Sequence, residues 1–295
     1  MIQAIPWLLT IYLYIPVFCT LYQSRWDAID YTHAYFILPL SLLIVWLKRN
    51  EIKQHVTSYV PRPTSYVPGF ILLVFGLASF TLGWRWDYLF ISTLSLIPLL
   101  FGMCLFLYNK GLARILVFPI LYLLLLVPVP VGVLDSITLP MRTLASVLSA
   151  NILSLMRYDI VREGLLINMG GHEIFMGAPC SGFRSLITMI SLGLIYIYLS
   201  PQKEISRGVI LSVSEGSQVK NKIFIKNVIL FMSIIPLALI GNLTRIIALC
   251  LITFYFGEAA GQGFFHNFSG MVVFLIIILG LMGLERILEG KLRKT

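Results

Sequence analysis

Eight long apolar runs, separated by shorter polar segments, dominate the pattern of the chain. A helix needs about 20 mostly apolar residues to cross the hydrocarbon core of a bilayer, so each run is predicted to be a transmembrane helix. The predicted spans cover residues 4–22, 32–47, 68–84, 88–108, 113–131, 183–199, 228–256 and 267–284. This pattern predicts an all-α polytopic membrane protein with about eight transmembrane helices. Residues 1–295 are expected to form a single integral membrane domain.

Two of the runs differ from an ordinary span. The seventh is longer than one crossing requires, and we expect it to tilt or to break near Gly241 and Asn242. The first has no basic segment before it and no small-residue cleavage site after it. We therefore expect the first run to be a retained helix rather than a signal peptide.

A long segment, residues 132–182, separates the fifth span from the sixth. Apolar side chains recur at helical spacing in residues 134–156, which predicts an amphipathic helix on or just under the outer membrane surface. The side chains with this spacing are Leu144, Val147, Leu148 and Ile152. Pro140 is expected to restrict the start of this helix, because proline cannot donate a backbone hydrogen bond.

The same segment contains the signal of a β-hairpin. Two short β-prone runs lie between Asp159 and Met176 and flank Gly170-Gly171, a pair typical of a two-residue turn. The second arm leads directly to Cys180, so the hairpin would carry this cysteine to the outer mouth of the sixth span. An isolated hairpin is marginally stable in water, so we expect it to rest on the helices or on the membrane surface.

Charge supports the membrane assignment and gives an orientation. The chain is 58% hydrophobic and only 12% charged, whereas soluble domains carry about 25% charged residues. Every lysine lies in one of four segments, namely 48–67, 109–114, 200–227 and the C-terminal tail. Lysine-rich loops face the cytoplasm, so both termini are predicted to be cytoplasmic. The net charge of +9 follows from these loops, and no nucleic-acid partner is expected.

Cys180 is the one cysteine of the four with polar neighbours, in the stretch GAPCSGFRSL. Cysteines near helix N-termini have lowered pKa values, because free N–H groups favour the thiolate. Arg184 lies one helical turn further on, where it would support a thiolate or hold an anionic group of a substrate. In the structural alternative, Ser181 caps the helix, Arg184 reaches the membrane interface and Cys180 only packs.

Arg245 lies among apolar residues of the seventh span, in GNLTRIIAL. An arginine inside a span costs several kcal/mol unless it is paired or faces a wet cavity, which makes it a functional candidate. Asn242, three residues earlier, shares its helical face and would help to hold it. The alternatives are a structural cation bound to backbone carbonyls, or an arginine that reaches the interface.

His266, in GFFHNFSG, lies at the predicted outer entrance of the eighth span. Imidazole is suited to proton transfer near neutral pH. His33 and His172 are also expected on the outer side, and a lone loop histidine is usually plain polar surface. Together, a thiol, an imidazole and a guanidinium are the groups that thiol acyl transfer needs.

Metal chemistry is not expected. His172-Glu173 begins like the HExxH zinc motif, but Met176 stands where the second histidine belongs. No pair of cysteines has the spacing of a zinc site. We therefore expect neither a metal nor another cofactor.

Three stretches, APCSGFRSL, GNLTRIIAL and HNFSG, resemble the signature regions of the exosortase/archaeosortase family. The resemblance runs from about the fourth predicted span to the eighth. It implies a polytopic membrane cysteine transpeptidase with Cys180 as nucleophile, Arg245 as the family's arginine and His266 as the third member. With a histidine at this third position, the chain resembles the bacterial exosortases. Arg184 matches the arginine that follows the cysteine motif.

The resemblance also implies a substrate and a location. The substrates would be exported proteins with a C-terminal sorting signal, composed of a short motif (PEP-CTERM in the best-known class), a hydrophobic helix and a basic tail. The enzyme would cleave near the motif through a thioester and pass the acyl group to an unknown acceptor. These expectations place the chain among the lipids of a bacterial inner membrane, often in bacteria that make exopolysaccharide, with the active site on the periplasmic face.

Two other functions are compatible with the sequence. One is a transporter or polysaccharide-export component that uses Arg245 as an intramembrane site, although this leaves Cys180 without a role. The other is a membrane cysteine protease that only hydrolyses its substrate. It differs from the transpeptidase in the acceptor alone.

Overall fold

A computed structural model describes residues 4–26, 31, 33–57, 66–206, 213–267 and 269–292 of the chain. Most of these residues are helical. They form two compact units, Met1–Val133 and Leu134–Thr295, called here the N-terminal and the C-terminal unit. The expectation of one integral membrane domain stays a prediction.

The N-terminal unit consists of helices. These are α1 (Ala4–Leu21), continued by a π-helical turn (Tyr22–Trp26), α2 (Ala34–Leu47), α3 (Arg49–Thr57), α4 (Tyr66–Arg85), α5 (Leu89–Leu94), α6 (Leu96–Leu107) and α7 (Lys110–Tyr122), followed by a 3-10 turn (Leu123–Leu126). Helices α4 and α6 are in close backbone contact at Gly76 and Gly102. A Cβ atom at either glycine would lie 2.5–2.7 Å from the facing backbone. Small residues of this kind allow helices to associate tightly inside a membrane.

The C-terminal unit combines long helices with a small sheet. Its elements are α8 (Val131–Leu155), β1 (Ile160–Glu163), β2 (Leu166–Met169), β3 (His172–Phe175), a 3-10 turn (Ala178–Ser181), α9 (Phe183–Ser206), α10 (Val213–Phe256), α11 (Glu258–Asn267) and α12 (Ser269–Leu292). Helix α8 begins in the last residues of the N-terminal unit. Helix α10 packs against α9, α11 and α12.

Four helical segments are long and apolar enough to cross a membrane in the part of the chain that the structure describes. They are Ile5–Trp26, Val67–Arg85, Leu89–Leu107 and Phe224–Phe256, and two shorter apolar helices are Ala34–Leu47 and Ser185–Leu199. The helical membrane-protein character is therefore confirmed. Eight spans and their placement stay predictions, because these four segments are counted among the described residues only.

The predicted hairpin is confirmed. Strands β2 and β3 pair antiparallel with Met169 opposite His172, so Gly170 and Gly171 form the two-residue turn. Both glycines have positive φ values, 61° and 85°, as this turn requires. A Cβ atom at Gly170 would lie 2.5 Å from the ring of Phe254, so the hairpin packs on α10.

Three expectations are corrected by the structure. The sheet has three strands, because β1 pairs with β2 and extends the hairpin. Helix α8 begins at Val131, so Pro140 lies inside it instead of restricting its start. Proline removes only its own backbone donor and strains the preceding turn, which a packed helix tolerates. Helix α10 runs without a break through Gly241 and Asn242.

The core of the C-terminal unit lies between the sheet, α8 and α10. Ile167 and Met169 of β2 and Ile246 of α10 are fully buried there, beside Ala145 of α8. Cys180 and Cys250 belong to the same buried cluster. The sheet therefore supports the chain directly before α9, where Cys180 lies.

Candidate active site

Cys180 lies in the 3-10 turn Ala178–Ser181, called here the cysteine turn, between β3 and α9. The backbone N–H of Cys180 donates to the carbonyl of Gly177 at 3.0 Å, which closes the turn. The cysteine is 3% exposed and packs in the core cluster beside Met176 and Ile246. The hairpin carries Cys180 to the start of the helix at Phe183, as expected, while its place at the outer mouth of a span stays a prediction.

Ser181 and Gly182 shape the start of α9. The hydroxyl of Ser181 accepts a hydrogen bond from the backbone N–H of Phe183 at 3.2 Å, so Ser181 satisfies the first free donor of the helix. Gly182 has a left-handed backbone with φ of 73°. A Cβ atom at Gly182 would also lie 2.8 Å from Cγ of Asn242. Glycine is therefore required here by both backbone conformation and space.

Replacing Gly182 with alanine is expected to destabilise the C-terminal unit. Positive φ costs a residue with a Cβ about 1–2 kcal/mol, and the contact with Asn242 adds an overpacking cost of about 1–3 kcal/mol. Gly257→Ala is the matched control, because Gly257 has φ of 83° and a Cβ atom there would have no neighbour within 4 Å. Thermal unfolding in detergent should show Gly182→Ala as the less stable variant. Equal stabilities would contradict the packing against Asn242.

Asn242 connects α10 to the cysteine turn. It is 2% exposed, and its Nδ2 donates to the backbone carbonyl of Cys180 at 2.8 Å. This acceptor fixes the orientation of the amide, because the carboxamide oxygen cannot donate to a carbonyl. The Oδ1 atom is consequently turned away from Cys180 and has no hydrogen-bond partner among the described residues.

Arg245 lies three residues after Asn242 on α10 and is 6% exposed. Both side chains are buried on α10, and the expectation that Asn242 helps to hold Arg245 stays a prediction. The positive charge of Arg245 acts on Cys180 and favours its thiolate. Thus α10 contributes two adjacent functions to the surroundings of Cys180, a donor that positions its backbone and a cation that acts on its thiol.

Burial nevertheless dominates the acidity of Cys180. Desolvation raises the pKa of the Cys180 thiol above its ordinary value, while Arg245, the hydrogen bond at Gly177 and Arg142 act in the opposite direction. The expected lowering of this pKa near a helix N-terminus is therefore wrong for this structure. The reason is that the thiol lies in an apolar cluster, where the charged form loses its hydration. Burial therefore favours the protonated form of the Cys180 thiol.

Arg142 of α8 was given no role by the sequence, but it is the second cation that acts on Cys180. Its Nη2 donates to the hydroxyl of Thr138 at 3.2 Å and lies 3.5 Å from a carboxylate oxygen of Asp135. Its Nε is buried and has no hydrogen-bond partner in the described structure. A sequence signal existed, since Arg142 precedes Ala145 by one helical turn and Ala145 packs in the cluster of Cys180.

Replacing Arg142 with leucine is expected to raise the pKa of Cys180 further, because a cation that favours the thiolate is lost. The pH dependence of Cys180 alkylation by iodoacetamide, followed by peptide mass spectrometry, should shift to higher pH. Arg142→Lys should restore part of the shift, and Arg162→Leu, at an exposed arginine of β1, should leave it unchanged. An unchanged pH profile of alkylation in Arg142→Leu would show that Arg142 does not act on Cys180.

Two of the candidate residues have described backbones only. Arg184 lies in the first turn of α9 and His266 lies near the end of α11, and their side chains are outside the described part. The approach of His266 to Cys180 stays a prediction. Among the other histidines, Nδ1 of His172 on β3 lies 3.7 Å from Glu258 at the start of α11. His33 belongs to the N-terminal unit, where Nε2 is 3.2 Å from the carbonyl of Leu125.

Within the described ranges, no group of three or more histidine, cysteine, aspartate or glutamate side chains is arranged to hold a metal ion. The arrangement around Cys180 instead brings together a thiol, two cations and a positioned backbone. These groups suit acyl transfer at a thiol, in which a nucleophile attacks a carbonyl and positive charge stabilises the oxyanion.

A protein-family model described as Transmembrane exosortase matches residues 26–217 and 216–283. These ranges cover most of the chain and include Cys180, Arg245 and His266. None of the curated proteins and none of the solved structures matches.

Proposed function

Since the chain belongs to the transmembrane exosortase family, we propose that it is a membrane-embedded cysteine transpeptidase with Cys180 as the nucleophile. One observation carries this proposal. Nδ2 of Asn242 donates to the carbonyl of Cys180, so the cysteine turn meets the helix that bears Arg245, although 62 positions separate the bonded residues. Two motifs that are distant in sequence thereby form one local site.

The proposed reaction proceeds through a thioester. The sulfur of Cys180 attacks the scissile carbonyl, and the carbonyl π electrons move to oxygen to form a tetrahedral oxyanion. The oxyanion then collapses, the C–N bond breaks, and the departing amine takes up a proton. An amine acceptor attacks the thioester in a second step and releases the thiol, or water does so by default. Arg245 is proposed to stabilise the oxyanion in both steps.

Because the pKa of the Cys180 thiol is raised, the proposed reaction needs a base that removes the thiol proton. A protonated thiol is a weak nucleophile, so its proton has to leave as the sulfur attacks. We assign this task to His266, whose imidazole suits proton transfer near neutral pH and whose protonated form would supply the proton to the leaving amine. Arg142 is proposed to favour the thiolate as it forms, and Arg184 to orient the substrate.

The proposed substrates are exported proteins with a C-terminal signal of the PEP-CTERM type. Their hydrophobic helix would lie beside the spans of the enzyme, with the basic tail in the cytoplasm and the motif near Cys180. This arrangement requires both termini of the enzyme in the cytoplasm and the site on the periplasmic face of a bacterial inner membrane. The clustering of lysines in three internal segments and the C-terminal tail supports that orientation.

A co-expressed reporter protein tests this function. The reporter carries a short PEP-type motif, a hydrophobic helix and a basic tail at its C-terminus, and mass spectrometry identifies its new end. A transpeptidase yields a shortened reporter whose new carboxyl group is joined to an acceptor, while a hydrolase yields the free acid. A transporter or export component leaves the C-terminus intact, and that result would contradict the proposal.

A further inference from the structure

A small cavity lies directly against the cysteine turn, on the side of Asn242 that is away from Arg245. Its volume is about 40 Å³. Ser181, Gly182 and Asn242 line one end, and apolar side chains of three helices line the rest, including Met141 of α8, Leu186 of α9 and Leu239 of α10. We call this space the Asn242 cavity.

Ser181 and Asn242 are the polar residues that line the Asn242 cavity. Asn242 is 2% exposed, and its Nδ2 is used by the carbonyl of Cys180. Its Oδ1 is buried and accepts no hydrogen bond from the described residues. This oxygen has essentially no accessible surface, so the carboxamide contributes to the cavity by its position and not as a free acceptor.

The size of the cavity restricts that ligand. A water molecule needs about 10–15 Å³ of such space, so the Asn242 cavity holds a group of only a few heavy atoms. A methyl or hydroxymethyl side chain fits this volume, whereas an aromatic ring does not. The mostly apolar lining suits a small side chain of a peptide substrate.

The position of the cavity along α10 selects the part of the substrate. From Arg245, the helix leads past Asn242 to Leu239 and Ile235, and both of these line the cavity. If the oxyanion of the scissile carbonyl lies toward Arg245, the departing amine and the residue that bears it extend in the opposite direction. In the proposed orientation this direction leads into the membrane, where the hydrophobic helix of the substrate continues.

We propose that the Asn242 cavity is the subsite for the first substrate residue on the carboxyl side of the scissile bond. It selects a small side chain there. This inference rests on the proposed transpeptidase function and adds to it a size restriction at one defined substrate position. Asn242 thereby both positions Cys180 and lines the subsite.

Reporter proteins with a C-terminal signal test the subsite. Mass spectrometry of the processed reporter locates the scissile bond, and the residue after it is then varied through glycine, alanine, leucine and phenylalanine. The wild-type enzyme is expected to process the alanine reporter at least about tenfold faster than the phenylalanine reporter. A side chain too large for a pocket lowers the rate of processing by about this factor. Leu239→Ala and Leu186→Ala enlarge the cavity and should reduce this ratio about tenfold.

Ile240→Ala provides the matched control. Ile240 neighbours Leu239 on α10 but is 54% exposed and does not line the cavity, so its variant should keep the wild-type preference. If wild-type enzyme processes alanine and phenylalanine reporters equally, or if neither enlarged variant changes the ratio, the subsite is overturned while the transpeptidase function stands. If no reporter is processed at all, the proposed function fails and the subsite fails with it.

Discussion

Replacing Cys180 with alanine is expected to reduce processing of a signal-bearing reporter by at least about a thousandfold, because removal of a nucleophile eliminates the covalent route. The side chain is nearly enclosed and belongs to the same buried cluster as Met176 and Ile246, so its removal also leaves a small void. Quantitative mass spectrometry of the reporter's C-terminus, at matched enzyme levels in the membrane, measures the loss.

Cys250→Ala is the control for this void. Cys250 is a buried free cysteine in the same cluster, and its variant loses the same atoms. We expect Cys250→Ala to process the reporter at a rate within severalfold of wild type, while Cys180→Ala and Cys180→Ser do not. Near-normal processing by Cys180→Ser together with Cys180→Ala would exclude a thiol nucleophile.

Replacing Arg245 with glutamine is expected to lower the rate of reporter processing by about 10²–10³, the usual effect of losing one oxyanion-stabilising group. Loss of its charge should also shift the alkylation profile of Cys180 to higher pH, because Arg245 lowers the pKa of that thiol. Arg245→Lys retains the charge and should restore the pH profile more fully than the rate. Single-turnover processing and the alkylation profile are measured on the same preparations.

The control for Arg245 is Arg162→Gln, which removes an exposed arginine from β1 of the same unit. It should change neither the rate nor the pH profile. If Arg245→Gln shifts the profile but leaves the rate of the chemical step unchanged, Arg245 acts on the resting thiol and has no role in stabilising the oxyanion.

Local sequence signals were sufficient to predict the hairpin and the start of α9. A Gly-Gly pair between two β-prone runs usually forms a tight two-residue turn, and Gly170-Gly171 forms that turn in the structure. Ser181 before Phe183 is a recognisable helix start, and its hydroxyl accepts the expected backbone hydrogen bond. The shared face of Asn242 and Arg245 follows from helical periodicity alone.

Features that depend on tertiary contacts were not predictable in this way. Strand β1 is exposed at Val161, Arg162 and Glu163, so it lacks the alternation that marks a half-buried strand. Arg142 reaches the surroundings of Cys180 only because α8 packs beside the cysteine turn. The raised pKa of Cys180 likewise comes from burial, which opposes the effect of the helix terminus.

The continuous course of α10 has a tertiary cause as well. Glycine and asparagine weaken an isolated helix, since glycine is flexible and asparagine competes for backbone hydrogen bonds. In this structure the amide of Asn242 donates to Cys180 instead. The residue that suggested a break in the seventh run is therefore the one that joins this helix to the cysteine turn.

Capture of the acyl-enzyme tests the central claim most directly. Hydroxylamine is added to membranes that contain the enzyme and a signal-bearing reporter, and both proteins are examined by mass spectrometry. A thioester at Cys180 predicts that wild-type enzyme releases the shortened reporter as its hydroxamate, with the free thiol regenerated, and that Cys180→Ala releases none. Complete processing with no hydroxamate and no adduct on the Cys180 peptide would contradict the account.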